Sequence, residues 1–167
     1  FDDGSFYQYI RDTKQPQSIG SNLTRRIDRD KNGNIWIATA DGLYKRSPKT
    51  PFSKNVFERF TNQPDNLNSL PSNDVTDVWC SRDNHVWVTM GGGGLAEFDG
   101  KKFTQYLPES SLSSKVFMGM HIDKRNRIWI ITKNGLEVFD RSLKKFFHLD
   151  VNDGSANTNL STYFSNE

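Results

Sequence analysis

Three segments of this chain repeat one another: NGNIWIATADGLYKR (Asn32–Arg46), DNHVWVTMGGGGLAEF (Asp83–Phe98) and RNRIWIITKNGLEVF (Arg125–Phe139). Each runs from a polar turn into Ile/Val-Trp-Ile/Val and through a second turn that closes on Gly-Leu. The tryptophans Trp36, Trp87 and Trp129 lie 51 and 42 residues apart. Alternating segments precede each tryptophan (Leu23–Ile27, Val75–Trp79, Val116–Ile122). An aromatic-rich segment follows each, with Phe57 and Phe60, Phe103 and Tyr106, and Phe146 with Leu149. One unit is therefore four short strands joined by turns. Alternation in Ile-Trp-Ile sends the indole to one face and the aliphatics to the other, so both faces of the small sheet are apolar. Such a sheet must be covered on both sides, and sheets stacked around an axis achieve that. The expected fold class is all-β: a β-propeller fragment of four-stranded blades.

Composition agrees. The chain is 34% hydrophobic but 13% aromatic over its 167 residues, which suits many half-buried strands separated by large rings. The net charge of +2 and scattered basic residues argue against a nucleic-acid partner. Cys80 is the single cysteine, which excludes an intrachain disulfide and cysteine-pair zinc sites. No run is apolar enough to span a bilayer. Asn22-Leu23-Thr24 and Asn159-Leu160-Ser161 match the glycosylation triplet, a match frequent by chance.

The stretch Asp30–Tyr44 (DKNGNIWIATADGLY), echoed by Asp123–Phe139 and Asp83–Phe98, resembles the two-component regulator propeller repeat. Those repeats form the periplasmic sensor region of bacterial hybrid two-component systems. The second copy carries Asn84-His85 and the third Arg125-Asn126 where the first has Asn32-Gly33. The resemblance implies a parent protein with a periplasmic propeller, a membrane anchor, a histidine kinase and a response regulator. It implies oligosaccharide ligands and signalling through rearrangement of a homodimer. Aligning the repeats divides the chain into a truncated blade's outer strand and linker (1–20), blades at 21–61, 75–107 and 116–150, loops at 62–74 and 108–115, and a linker with a further inner strand (151–167). The outer strand is placed at Gly4–Ile10 and the last inner strand at Leu160–Glu167, so the chain reads as a piece of a longer sensor. Its open blade faces predict self-association.

Four consecutive glycines, Gly91–Gly94, pose the question of a phosphate-cradling loop. The sister repeats have Ala-Asp-Gly and Lys-Asn-Gly there, and Gly94 leads into a strand with no Lys-Ser/Thr and no helix. The glycines are expected to form a turn. The carboxylates Asp28, Asp30, Asp83 and Asp123 recur just before the turn that leads to each tryptophan, a pattern expected of turn caps. No Gly-x-Ser-x-Gly elbow exists, and His85, His121 and His148 occupy different blade positions. No catalytic residue, metal site or cofactor is expected.

A ligand pocket, if these blades hold one, is placed at the propeller face carrying the loops between second and third strands and between blades. The candidate residues are Asp41, Asn73, Met90, Lys133 and Asn134, with Trp79 on the inner strand facing the channel. Three functions compete: an oligosaccharide sensor in the periplasm, a protein-docking scaffold without a small ligand, and a propeller enzyme of the lyase or hydrolase kind. The loop Ser47–Asn55, absent from the other units, is a partner contact or a neutral insertion.

Overall fold

The computed structural model describes residues 6–108 and 115–149. They form three four-stranded antiparallel sheets, each a meander in sequence order. Blade 1 contains β1 (Thr24–Arg29), β2 (Ile35–Thr39), β3 (Gly42–Arg46) and β4 (Glu58–Phe60). Blade 2 contains β5 (Val75–Cys80), β6 (Val86–Met90), β7 (Gly94–Phe98) and β8 (Phe103–Tyr106). Blade 3 contains β9 (Phe117–Ile122), β10 (Arg127–Thr132), β11 (Gly135–Asp140) and β12 (Lys145–Leu149). The rim that carries the β2–β3, β6–β7 and β10–β11 turns is called the upper rim below, and its opposite the lower rim.

Register explains the packing. Cross-strand pairs share a face, so Trp36 with Lys45, and Ala38 with Leu43 and Phe60, lie on one side of blade 1. That side meets Val86, Val88, Ala96, Phe98 and Phe103 of blade 2 in one buried cluster. The opposite side of blade 2 presents Trp87 and Leu95 to Phe117, Ile128, Ile130 and Phe139 of blade 3. The aromatic pairs of the outer strands now have a reason. A spacing of three on a strand sends two rings to opposite faces. Phe103 accordingly stacks on Phe98 at 4.7 Å in the first interface, and Tyr106 meets Phe139 at 4.8 Å in the second. Each such pair contributes about 0.5–1.5 kcal/mol beyond the area it buries.

Carboxylates on the inner strands add directional links between blades. The Asp28 carboxylate accepts the backbone N–H of Cys80 at 2.7 Å, and Asp77 accepts that of Met120 at 3.0 Å. Arg25 donates to the Val75 carbonyl and pairs with Asp74 at 2.7 Å. Each inner strand is thereby held in register against the next.

The glycine quartet is a turn, with two different reasons for its glycines. Gly92 and Gly94 have φ of 99° and 71°, which L side chains rarely adopt. Gly91 and Gly93 are instead crowded by the inter-blade loop: an added Cβ would fall 2.0 Å from the Asp74 carboxylate and 2.8 Å from Ser72 Cβ. Gly91 also donates to the Asp74 carbonyl at 2.8 Å.

Two expectations require correction. The outer strand placed at Gly4–Ile10 does not form over the described residues 6–10. Tyr9 instead packs edge-on against Phe57 at 5.6 Å, and Ile10 accepts from the Asn55 side chain. The loop Ser47–Asn55 is pinned internally as well, since Arg46 donates to the carbonyls of Thr50 and Pro51 at 2.9 and 2.8 Å. The inner strand placed at Leu160–Glu167 lies outside the described residues.

The second correction concerns the turn carboxylates. Asp30 accepts from the Trp36 indole at 3.0 Å, from the amides of Asn32 and Asn34, and from the Asn34 side chain. Asp123 does the same for Trp129 and the amides of Arg125 and Arg127. In blade 2 the matching position is Ser81, not Asp83. The Ser81 hydroxyl accepts the His85 amide there, and the buried Trp87 indole N–H is left without a partner. Burial would raise the Asp30 pKa, but the bonds from Trp36, Asn34 and the two amides outweigh it and hold the carboxyl below its ordinary value. The stability it contributes is complete above the unfolded aspartate pKa of about 3.9 and is lost as pH falls through the lower folded value. Asp30→Ala is expected to lower unfolding stability at neutral pH by about 1–3 kcal/mol. Ser81→Ala is expected to cost less. The gap between wild type and Asp30→Ala should narrow below about pH 3, followed by urea unfolding at stepped pH.

Candidate functional site

Among the described residues, the upper-rim candidates fall into separate settings. Met90 is fully buried in the cluster between blades 1 and 2, so it cannot meet a ligand. As the last residue of β6 it points into that interface beneath Gly93. Asn73 is committed to loop structure: its side chain accepts the Asn62 amide at 2.7 Å, and its carbonyl accepts the amides of Gly42 and Val75. Asp41 is held in an ion pair with Arg59 at 2.6 Å. Lys133 and Asn134 are exposed on the β10–β11 turn. The structure thus brings Asp41 and Asn73 near each other through the Gly42 bond, while Lys133 and Asn134 stand on another blade. Among the upper-rim loops, 62–73 is internally bonded through Asn62, which donates to the carbonyls of Leu70 and Pro71.

Trp79 lies at the other rim, where it lines a cleft. A cleft of about 710 Å³ opens between blades 2 and 3 at the lower rim. Trp79 and Ile122, near the ends of inner strands β5 and β9, supply its apolar surface. Arg82 and Asp83 reach it from the β5–β6 turn, Asp123, Lys124 and Asn126 from the β9–β10 turn, and Arg141 from the end of β11. These turns follow the inner strands in both blades, so the repeat itself brings them face to face. What sequence could have supplied was the irregularity: Trp79 occupies the place of Asp28 and His121 in the sister strands, each paired with the repeat tryptophan.

Arg141 closes the back of the cleft. It pairs with Asp83 at 2.9 Å, donates to the Asn126 side-chain carbonyl, and lies 4.9 Å from the Trp87 ring centre. One guanidinium therefore ties both turns together and covers the indole that lacks an acceptor. Asp83 is driven upward in pKa by burial but held below its usual range by bonds from Ser81 and Arg141. Asp123 behaves alike, with burial opposed by Trp129 and Arg127. Both carboxylates of the cleft are therefore ionised and already bonded at neutral pH.

Among the described residues, the thiol and the histidines sit in separate places. Burial pushes the Cys80 thiol pKa well up, and Asp28 and Asp30 add to it, so the thiolate a nucleophile needs is suppressed. His85 contacts Glu97 at 2.6 Å, and Tyr106 donates to the same carboxylate at 3.0 Å. Burial first, and then Glu97, raise the Tyr106 pKa to about 12. His148 contacts the fully buried Glu137 at 2.7 Å in the interface between blades 2 and 3. Among the described residues no three His, Cys, Asp or Glu side chains are grouped to hold a metal ion.

No protein-family model and no curated protein matches the chain by sequence. Solved structures do match it. The extracellular domain assigned to a hybrid two-component system of B. thetaiotaomicron superposes with a TM-score of 0.68 at 23% identity, over 86% of this chain and 20% of that one. PorZ, a surface component of the type-IX secretion system of Porphyromonas gingivalis, gives 0.59 at 22% identity, over 71% and 17%. Virginiamycin B lyase of Staphylococcus aureus gives 0.61 at 16% identity, over 87% and 45%. The chain spans about a fifth of the first two proteins and under half of the third. The shared feature is the fold: the chain forms three consecutive blades of a β-propeller.

Arg141→Lys keeps the charge but loses the planar fork. It is expected to lower stability by about 1–3 kcal/mol, whereas Arg82→Ala should change it by less than about 0.5 kcal/mol, both read from urea-unfolding midpoints.

Proposed function

We propose that this chain is a ligand-sensing propeller segment of a hybrid two-component sensor, exposed on the periplasmic side and detecting oligosaccharides. The observation that carries the reading is the inter-blade cleft, where an indole and hydrogen-bonding groups from two blades face one space. An indole offers a flat apolar surface to the C–H face of a sugar ring, and the polar groups around it can address the hydroxyls. The repeat motif and the likeness to an extracellular domain assigned to such a system support the sensor part of the reading. In this reading the segment binds and transmits; among the described residues the thiol is buried and the His–Glu pairs stand apart from it.

Transmission follows from where the cleft lies. A ligand held by turns of two blades favours one spacing of those blades over others, and differential binding of that kind shifts an equilibrium between conformations. In a membrane-anchored homodimer, such a shift changes how the propellers pack. A protein-docking role is the alternative, favoured by one feature: a groove of about 300 Å³ on the face of blade 1 that Tyr9 and Ile19 partly cover, where Ile27 is 62% exposed.

A thermal-shift screen of the 167-residue chain against plant, host and microbial oligosaccharides tests the first reading. A rise of several degrees with one glycan class is expected; no rise with any class would transfer the weight to docking. Ile27 on blade 1 and Ile131 on blade 3 remain exposed, and copies are expected to pair through these faces, so sedimentation velocity should give species larger than a monomer at micromolar concentration.

A further inference from the structure

Resting on the oligosaccharide reading, we infer that the lower-rim cleft selects an anionic saccharide, one bearing a ring carboxylate or a sulfate. Most of the polar groups around the cleft are already engaged by one another. The lining holds three cations, Arg82, Lys124 and Arg141, against two carboxylates, Asp83 and Asp123. Asp83 is bonded to Ser81 and Arg141. Asp123 is bonded to the Trp129 indole, the Arg127 side chain and two amides. Arg141 is itself consumed by Asp83, Asn126 and the Trp87 ring. A site built for neutral sugars keeps free carboxylates or amides that can accept from paired hydroxyls. Here each of those acceptors is already engaged by a neighbouring side chain or amide.

What is left is cationic. Arg82 and Lys124 line the cleft and are exposed, and neither makes an ion pair or side-chain hydrogen bond among the described residues. They come from equivalent turns of different blades, Arg82 after β5 and Lys124 after β9. The half-buried Trp79 lines the same cleft. An occupant that stacks a sugar ring on the indole brings its acidic substituent within the field of both cations, and a guanidinium can take a carboxylate or sulfate through two parallel hydrogen bonds. Because one cation belongs to each blade, the anion would also tie blade 2 to blade 3.

Isothermal titration calorimetry of the 167-residue chain tests this with three probes: a galacturonic acid tetramer, the same tetramer reduced to its neutral galactose form, and a sulfated glycosaminoglycan tetrasaccharide. At least one acidic probe should bind about tenfold or more tighter than the neutral one, with affinity falling as salt is raised. Arg82→Ala and Lys124→Ala should each weaken that binding by about tenfold while leaving the circular dichroism spectrum unchanged. Which acidic probe binds separates a carboxylate from a sulfate. Equal binding of the neutral tetramer, unaffected by both substitutions, would overturn the anionic inference and leave the oligosaccharide reading standing. Absence of binding by every probe, neutral and acidic, would overturn both.

Discussion

A four-stranded sheet with apolar side chains on both faces cannot exist alone in water, and the rest of this structure follows from that constraint. The Trp face of blade 1 is covered by blade 2, whose own Trp face is covered by blade 3. Stacking makes the inter-blade interface the unit of stability, and it is where the large rings gather. The inner-strand carboxylates Asp28 and Asp77 then convert a non-directional apolar contact into a fixed register, because each accepts an amide on the following strand. Burial brings the sheets together, and those two bonds set the alignment.

The same geometry produces the cleft. Stacked blades diverge around an axis, and at the lower rim the turns after β5 and β9 leave a space that side chains do not fill. Blade 2 is the unit that departs from the repeat around it. Ser81 replaces the aspartate that caps the turn in blades 1 and 3, the Trp87 indole loses its acceptor, and Arg141 covers that ring from the next blade. Trp79 stands where neighbouring inner strands carry Asp28 and His121. A local departure from a rule obeyed elsewhere in the same chain is where function is to be sought, and these departures cluster on one cleft.

The blade architecture was legible because it rests on short-range pattern: alternation around Trp36, Trp87 and Trp129, and Gly-Leu at the third strand. Within the three blades the strands lie where the repeats placed them, and Gly91–Gly94 form the expected turn, whereas the outer strand at Gly4–Ile10 does not form over residues 6–10. The site was less legible. Met90 sits on the expected rim in sequence, but the last residue of β6 turns inward, and a one-residue change of parity separates a rim contact from a core side chain. Asp83 looked like a turn cap by proximity, whereas counting six residues back from Trp87 leads to Ser81. The cleft itself joins residues from 79 to 141, and nothing in a linear pattern says which rim of two adjacent blades stays open. That depends on how side chains fill the wedge between sheets.

Backbone and indole chemical-shift mapping by two-dimensional NMR, during titration of the 167-residue chain with an acidic oligosaccharide, tests the central claim most directly. The account predicts that the Trp79 indole N–H and the amides of Arg82, Lys124 and Asn126 move together and saturate at one ligand equivalent. Shifts confined to Asp41, Lys133 and Asn134 at the upper rim, with the Trp79 indole unmoved, would contradict it.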